Sequence, residues 1–404
     1  MTLTPDRWTR LLPCLALLLA FATDAAAGES PVRATVTLVH TGDTTWRADY
    51  RLSEAVEAIE LGPKIVEYRA TAWHLKTPGL RLASDADGES IRADGKAFDA
   101  VTIEIDDYEP WSHDHYIPID RHSDGGHAFY LGHLMGTVRQ AGRERDLRIT
   151  FELVGRHDEN VLLADQANED KGTYAYFGPQ KPIAAGSVRL VLDPKTPAWM
   201  RDTFTRTVTP LSSFYQDAFR RNWRAPPLVI ISAGALDTPG FSVKGGALPG
   251  EIAFRIAGEQ SLTPTPELQG LFEQLVAHEL AHVWQGLVQR GGIGDGEAPW
   301  VHEGGAQALS IAALEGSGLW TAEQARAFRA SLGAECARLR DAEANGKDAD
   351  ASRFAYTCGY ERIMALPLEP VELWKRLIAQ TERTGQPYSA AMVERVARAS
   401  SPRR

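Results

Sequence analysis

The sequence lacks an excess of positive charge, long apolar runs beyond its first 27 residues, and internal repeats. Its 43 Lys and Arg against 53 Asp and Glu leave a net charge of −10, which argues against a nucleic-acid partner and a polybasic membrane-binding patch. After residue 27 no segment has the ~20 apolar residues that a membrane-spanning helix needs. The remaining composition, 44% hydrophobic and 24% charged in 404 residues, is typical of a soluble globular protein of two domains.

The N-terminus has the features of a secretory signal peptide. Arg7 and Arg10 precede the apolar run 11–22, and small residues lead to Ala27. We therefore expect residues 1–27 to be removed and the protein to be exported, either to the periplasm or out of the cell. The alternative, an uncleaved membrane anchor, is weaker because the run is too short to span. Cys14 lies inside the run, which disfavours lipoprotein processing.

Cysteine is scarce. The chain has three, and removal of residues 1–27 leaves only Cys336 and Cys358. In an oxidising compartment two cysteines favour one disulfide. Two buried free thiols are the alternative, because the sequence does not determine the Cβ geometry that a disulfide requires.

The first half of the chain has a period-two pattern. Apolar and polar residues alternate over 46–52 and 147–153, as in half-buried strands. Turn signals separate these runs, which indicates a β-sandwich or an open antiparallel sheet over residues 28–193. Shorter predicted strands are Ala34–Val39, Ile65–Trp73, Val101–Ile105 and Val188–Leu192.

A polar segment at residues 111–133 interrupts this pattern. Its metal-binding residue types indicate either a second metal site or a polar loop over the sheet, and their spacing matches no zinc pattern. Its aromatic residues are expected to pack, although a substrate-facing role stays open. The first group is His113, Asp114, His115, His122, Asp124, His127 and His133; the second is Trp111, Tyr116, Phe129 and Tyr130.

Beyond the proline-containing boundary at 193–197 the period becomes helical. Strands are expected at 228–232, which is a continuous apolar run, and at 251–256. Thr265 before Pro266 predicts the start of a helix, which Gly291-Gly292 would close. Thr321 and Gln324 form a capping box. The predicted helices cover 199–221, 266–290, 322–345, 354–366, 371–381 and 389–399, and the segment around Glu303 is expected to form the next helix after 266–290.

The central motif is His278-Glu279-Leu280-Ala281-His282. Residues four apart share a face of a helix, so the two imidazoles can bind one ion from the same side. Catalytic zinc takes three protein ligands and keeps one position for water. Glu279 is then placed to accept a proton from that water, and Glu303 on the next predicted helix is the candidate third ligand.

The segments H-E-L-A-H-V-W-Q and W-V-H-E-G-G-A resemble the gluzincin zinc metallopeptidases, in particular the aminopeptidase N-like and glycyl aminopeptidase families. The resemblance implies that His278, His282 and Glu303 bind one zinc ion and that Glu279 is the general base. It also implies an α+β protein in which an N-terminal antiparallel β domain precedes a thermolysin-like catalytic domain, with α/β and helical parts, over residues 194–404.

The resemblance extends to two other segments. A tyrosine that stabilises the oxyanion corresponds to Tyr356, with Tyr360 as a competitor, and a disulfide at Cys358 would hold the backbone near this phenol. The substrate-side strand corresponds to Gly246, Ala247 and Leu248, which we take as candidate substrate-binding residues. Pro249 stands where those families have the glutamate that binds the substrate amine.

Together these features predict an exported zinc metallopeptidase that hydrolyses peptides or proteins, with aminopeptidase activity in doubt because of Pro249. Two alternatives remain: a catalytically silent exported binding protein with a structural zinc site, and a hydrolase of non-peptide amides. Near the site, Gln307 is either a residue that orients a ligand or an ordinary interhelical hydrogen-bonding partner. The sequence does not indicate an oligomeric state.

Overall fold

The structure, a computed structural model, describes residues 30–62, 65, 67–86, 88–108, 116–164, 172–223, 225–286, 299–346, 350–386 and 388–399. The predicted signal peptide, residues 111–115 of the polar segment and Gly291-Gly292 lie outside these ranges. Residues 31–404 form one compact unit of α+β architecture. The division into domains at residues 193 and 194 therefore stays a prediction.

Strands dominate the first half. In chain order they are β1 (Val32–Gly42), β2 (Thr45–Val56), β3 (Ala58–Glu60), β4 (Trp73–Leu75), β5 (Leu80–Ser84), β6 (Glu89–Ala93), β7 (Phe98–Asp106), β8 (Ile119–Arg121), β9 (His127–Tyr130), β10 (Thr137–Gln140), β11 (Arg143–Val154), β12 (Asn160–Leu162), β13 (Tyr174–Gly178), β14 (Ile183–Ala185) and β15 (Val188–Leu192). The short helix α1 (Tyr68–Ala72) precedes β4, and a 3-10 helix covers Leu131–Leu134.

Strands β1 to β13 form two sheets, whereas β14 and β15 belong to the central sheet. Nine strands pair in the order β4-β7-β2-β1-β11-β10-β3-β6-β5, and four in the order β12-β13-β9-β8. All described pairs are antiparallel except β1 with β11, which run parallel with Val32 opposite Leu147. The prediction of an antiparallel sheet is wrong at this one pair, which brings together the first and last long strands of the sheet.

The alternation seen in the sequence matches the burial of these strands. In β1, Val32, Ala34, Val36 and Leu38 are buried while their neighbours are not, because successive side chains of a strand point to opposite faces. The predicted strand at 65–73 is wrong over Tyr68–Ala72, which is helical.

Buried ionic contacts explain that error. Arg69 is almost fully buried, 2.8 Å from the Glu89 carboxylate, and donates to the carbonyl oxygens of Leu61 and His133. Because these partners are distant from Arg69 in the sequence, the local pattern of residues around it does not reveal them.

The second half combines helices with the rest of the central sheet. Its strands are β16 (Leu228–Ala233), β17 (Ser242–Leu248) and β18 (Glu251–Ala257), and Glu259–Leu262 form a 3-10 helix. Its helices are α2 (Ala198–Phe219), α3 (Pro266–Gln285), α4 (Pro299–Gly316), α5 (Ala322–Ala344), α6 (Ala351–Met364), α7 (Pro370–Thr384) and α8 (Ala390–Arg398).

Helix α3 ends earlier than the sequence predicts. Its last helical residue is Gln285, with Gly286 as cap, so the predicted end at Gly291-Gly292 is wrong. In the part of the chain that the structure describes, no helix is both long and apolar enough to cross a membrane.

The central sheet has the order β14-β15-β16-β18-β17. Strands β15, β16 and β18 are parallel, whereas β17 pairs antiparallel with β18 and forms the edge. One face of β18 presents Ile252, Phe254 and Ile256 to the core that contains the helices, and the other presents Ala253 to the four-stranded sheet. The edge strand β17 contacts α3.

Two large apolar cores result. One consists of side chains packed against the nine-stranded sheet, and the other lies between the central sheet and the helices. A smaller apolar cluster lies between them and includes Ala128, Tyr176 and Ile230. Next to it Asp120 of β8 makes an ion pair with Arg255 of β18 and accepts a hydrogen bond from Ser232 of β16.

Candidate active site

Helix α3 carries the motif at its buried C-terminal half. The Thr265 side chain accepts from the Leu268 N–H, and Pro266 occupies the first turn, so the helix begins as the sequence predicts. His278, Glu279 and His282 are 2%, 5% and 8% exposed. The motif is therefore on a buried face beside β17 and α4.

Glu303 comes from the first turns of α4 and meets both imidazoles. The Nε2 atoms of His278 and His282 lie 3.0 Å apart, and Glu303 Oε2 lies 3.2 Å and 3.3 Å from them. In the described part of the chain this is the one cluster of three or more such groups that could hold a metal ion. A tetrahedral zinc with bonds of about 2.0–2.1 Å separates its ligand atoms by roughly 3.3 Å.

The donor chemistry also fits a divalent cation. His282 Nδ1 lies 2.8 Å from Gln285 Oε1, and an amide oxygen can only accept a hydrogen bond. The proton of neutral His282 is therefore on Nδ1, and its Nε2 directs a lone pair at the Glu303 carboxylate. A cation between these atoms replaces this repulsion with two favourable contacts.

Gln285 is a residue that sequence analysis missed. It is fully buried, and its amide nitrogen donates to the His302 carbonyl at 3.1 Å. The sequence signal available was its position one turn after His282 on the same helix face. Gln307, the residue considered for this role, instead accepts from Gln274 at 3.1 Å and is an interhelical hydrogen-bonding partner.

Glu279 lies against the edge strand β17. The backbone N–H of Ala247 hydrogen-bonds its carboxylate. A Cβ on Gly245 would come within 2.7 Å of both Cγ and Oε1 of Glu279, so the strand approaches the carboxylate this closely only because it has glycine there. Gly245 thus provides the space in which the general-base candidate is held.

The buried charges alter one another's ionisation. Burial raises the pKa of Glu279, and Glu303 raises it further against the lowering effect of the two imidazoles. Burial lowers the pKa of His282, but the carboxylates of Glu303 and Glu279 outweigh burial and raise it. Burial acts against ionisation of Glu303 too, yet both imidazoles hold the pKa of that carboxyl far below its usual range. Glu303 is therefore the permanent anion of the cluster.

Helix α6 brings Tyr356 to the same place. Its ring stacks on His278 with centroids 5.1 Å apart, and burial, Glu303 and Glu279 raise the pKa of its hydroxyl. The phenol is thus a proton donor at neutral pH. Tyr360, the competitor, faces Arg329 and the apolar core instead. Cys336 of α5 and Cys358 of α6 are joined in a disulfide two residues from Tyr356.

Successive residues of β17, the candidate substrate-side strand, point to opposite faces of the sheet. Gly245 contacts Glu279, whereas Gly246 lies beneath Tyr116, whose Cε1 is 3.4 Å from the position of a Cβ. Ala247 uses its N–H for Glu279, and Leu248 packs on the cluster between the two cores. The structure therefore brings Gly246 and Ala247 beside the motif, with Leu248 one step further along the strand.

Glu251 does not replace the missing amine-binding glutamate. It is fully buried, and its Oε1 accepts from the Tyr174 N–H at 2.8 Å. Burial raises its pKa to about 8, against the lowering effect of that hydrogen bond. A neutral carboxyl directed at another backbone is not available to a substrate ammonium group.

Part of the polar segment 111–133 also approaches the site. Tyr116 is 39% exposed and stacks on Tyr130 with centroids 4.6 Å apart. Partial burial together with the carboxylates of Glu279, Glu251 and Glu303 raises its pKa to about 12. Tyr116 thus lies at the open side of the cluster, and a substrate-facing role stays open for it.

The histidines of this segment lie elsewhere. The three that the structure describes, His122, His127 and His133, are buried and form no three-ligand group in the described ranges. His133 Nε2 contacts the Tyr116 carbonyl at 3.0 Å. A second metal site in this segment stays untested, because His113, Asp114 and His115 lie outside the described residues.

Comparison with known proteins gives structural likeness without sequence likeness. No family model matches the chain, and no curated protein matches it. Among solved structures, an aminopeptidase N family protein from Idiomarina loihiensis aligns with a TM-score of 0.58 and 12% identity, over 90% of this chain and 72% of that one. Yeast LTA4 hydrolase aligns with 0.53 and 9%, over 92% and 65%.

A third structure has almost the same length as this chain. The M1 zinc metallopeptidase from Deinococcus radiodurans aligns with a TM-score of 0.50 and 16% identity, over 92% of this chain and 94% of that one. At such identities the likeness shows the fold. The chain thus resembles the aminopeptidase N-like zinc metallopeptidases in architecture, as the motif suggested.

Proposed function

We propose that this protein is a zinc-dependent metallopeptidase of the gluzincin type, which hydrolyses peptide bonds with a water molecule activated at the His278, His282 and Glu303 cluster. The observation that supports this most is the convergence of three donor atoms within 3.3 Å of one another, with Glu279 beside them on the edge strand. The likeness in fold to zinc peptidases points the same way.

His278, His282 and Glu303 would hold one Zn²⁺. When bound, the ion lowers the pKa of a coordinated water to about 7 and polarises a carbonyl. Glu279 would accept the proton of the attacking water and pass it to the leaving amine, first as a base and then as an acid. Its buried position beside Ala247 suits this role, because burial brings the pKa of a carboxyl closer to neutral.

Tyr356 donates a hydrogen bond to the oxyanion that forms as water adds to the carbonyl. Its hydroxyl keeps its proton over the whole neutral range, so it can stabilise charge that is present only in the transition state. A peptide would lie along the edge of β17 beside Gly246, because an edge strand offers unpaired backbone groups.

The proposal includes the architecture and the location. We infer that the nine-stranded and four-stranded sheets form the N-terminal β domain, and that residues 194–404, together with β14 and β15 of the central sheet, form the thermolysin-like catalytic part. Export follows from the predicted signal peptide; the N-terminal sequence of the mature protein and cell fractionation would test it.

The decisive experiment compares the wild type with Glu279→Gln. We expect about one equivalent of zinc in both proteins and a loss of turnover in the variant of at least about 10²-fold, since general-base catalysis is worth that much. Glu273→Gln, on the same helix, is the matched control and should keep its activity. An unimpaired Glu279→Gln enzyme would contradict the mechanism.

The substrate panel should contain free-amine, N-blocked and internal peptides and non-peptide amides. Pro249 and the buried Glu251 leave no described carboxylate at the end of β17 for a substrate amine, so cleavage of blocked peptides would indicate an endopeptidase. Turnover of non-peptide amides alone would favour that class of hydrolase. Zinc binding without any turnover would favour a binding protein, although structural zinc sites are normally closed by four ligands.

A further inference from the structure

Helices α3 and α4 contribute further residues to the cluster besides the three candidate metal ligands. On α3, Gln285 lies one turn after His282, and on α4, His302 immediately precedes Glu303. Gln285 and Tyr388 are fully buried and His302 is 8% exposed. Tyr388 lies in the segment between α7 and α8, so the group joins the candidate metal site to the C-terminal helices.

The hydrogen bonds of this group have one consistent direction. The His302 carbonyl can only accept, so the Gln285 atom that lies 3.1 Å from it must be the amide nitrogen. The amide oxygen then faces His282 Nδ1 at 2.8 Å. This orientation requires the proton of neutral His282 to be on Nδ1 and leaves Nε2 as the lone-pair donor.

The His282 ring also has a stacking partner on one of its faces. His302 stacks on it with centroids 4.0 Å apart and planes 23° from parallel. His302 Nδ1 in turn lies 3.3 Å from the Tyr388 hydroxyl. The ring of His282 is therefore restrained both in its plane, through Gln285, and perpendicular to it, through His302.

The space for this arrangement depends on Gly305. A Cβ there would lie 2.8 Å from the Gln285 amide nitrogen and 2.2 Å from the Trp374 ring. The other imidazole has a stacking partner in Tyr356 but no equivalent hydrogen bond, since His278 Nδ1 is buried with no hydrogen-bond partner among the residues described. The two histidines of the motif are thus held in different ways.

We propose that Gln285, His302 and Tyr388 are positioning residues that fix the tautomer and the ring orientation of His282 for metal binding. The proposal rests on the proposed zinc site and extends it to residues that touch neither the metal nor the substrate. Partners of this kind raise metal affinity, because the ligand enters the complex already oriented.

The test uses Gln285→Met, which keeps the volume of the side chain and removes the hydrogen bonds. We expect zinc affinity, measured by competition with a chelator, to fall about 10- to 100-fold, with a changed visible spectrum of the cobalt(II) form. Tyr388→Phe, which removes one hydroxyl, should weaken zinc binding in the same direction but less.

Gln274→Met is the matched control, because it removes a buried amide that links the same two helices through Gln307 and not through a candidate metal ligand. It should lower the thermal stability of the metal-free protein about as much as Gln285→Met and leave zinc affinity and the cobalt spectrum unchanged. Equal zinc affinity in Gln285→Met and wild type would overturn the proposal and leave the proposed function intact. Absence of zinc binding by the wild type would overturn both.

Discussion

A single hydrogen atom at residue 245 determines where the general-base candidate lies. The Glu279 carboxylate occupies the volume in which a Cβ of residue 245 would stand, and the neighbouring Ala247 N–H holds it there. A glycine in a strand usually weakens it. At position 245, however, the glycine allows the strand to lie close to the Glu279 carboxylate.

Gly245→Ala should therefore displace Glu279. We expect turnover to fall about 10²-fold, since a misplacement of about 1 Å has that effect, with zinc content and thermal stability nearly unchanged. Steady-state kinetics and metal analysis would measure both quantities.

Gly270→Ala on α3 is the control. A Cβ there meets no atom within 4 Å, so activity should persist, and stability should rise by about 0.5–1 kcal/mol. Normal turnover in Gly245→Ala would show that Glu279 needs no fixed position.

Glu251 makes the stability of the protein depend on pH. Its pKa is 4.5 in an unfolded chain and about 8 when buried in the fold. Between these values unfolding releases a proton, so its contribution to stability is complete below pH 4.5 and is lost as the pH rises to 8.

Glu251→Gln keeps an acceptor for the Tyr174 N–H but cannot ionise. Relative to this variant, the wild type should lose roughly 1.4 kcal/mol of unfolding free energy per pH unit over that window. Urea titrations from pH 4.5 to 8 would measure the difference, with the exposed Glu144→Gln as control. A difference that is constant with pH would contradict the assignment of Glu251 as a neutral buried acid.

At the scale of elements, α4 and α6 meet backbone to backbone at the site. A Cβ on Gly304 would lie 2.2 Å from the carbonyl carbon of Gly359. The contact lies one residue from Glu303 and three from Tyr356, so the distance between these helices determines how the third ligand and the phenol face each other. The disulfide between Cys336 and Cys358 also ties α6 to α5.

Gly304→Ala should separate the two helices. We expect a loss of about 3 kcal/mol, the upper range for overpacking a core, together with lower turnover at temperatures where the variant is still folded. Thermal unfolding and kinetics would measure the two effects. A loss of stability with unchanged turnover would show that the spacing of α4 and α6 does not affect Glu303 and Tyr356.

At the scale of the whole molecule, the two large cores are connected through the four-stranded sheet. Asp120 of that sheet meets both Arg255 and Ser232 of the central sheet, and it is 8% exposed. A buried carboxylate with a cationic and a hydroxyl partner fixes the orientation of one sheet relative to the other. Apolar contacts alone fix this orientation less specifically.

Asp120→Ala should weaken this connection by about 2 kcal/mol, as for hydrogen bonds to charged groups. We expect calorimetry to show a broader transition, because the two cores then unfold less cooperatively. Asp94→Ala breaks an exposed ion pair with Arg81 and should cost under about 1 kcal/mol. One sharp transition with an equally small loss would contradict the connecting role of Asp120.

The local patterns of this sequence determined most of the elements. Alternation in β2 and β11, the Thr265 cap with Pro266, and the capping box at Thr321 depend on neighbours in the chain, so the sequence alone reveals them. The motif on α3 also follows from helix geometry. Glu303 was a candidate because of its place on the next predicted helix, whereas Tyr356 was inferred from the resemblance and not from any local rule.

Only the tertiary structure decided the contacts between distant residues. The helix at Tyr68–Ala72, the buried acid Glu251, the choice of Gln285 over Gln307 and the space at Gly245 all depend on atoms that meet across the fold. Periodicity records which face of an element is buried but not what it meets there. The sequence by itself therefore determined the ligand types, and the packing of α3, α4, α6 and β17 determined how those ligands are held.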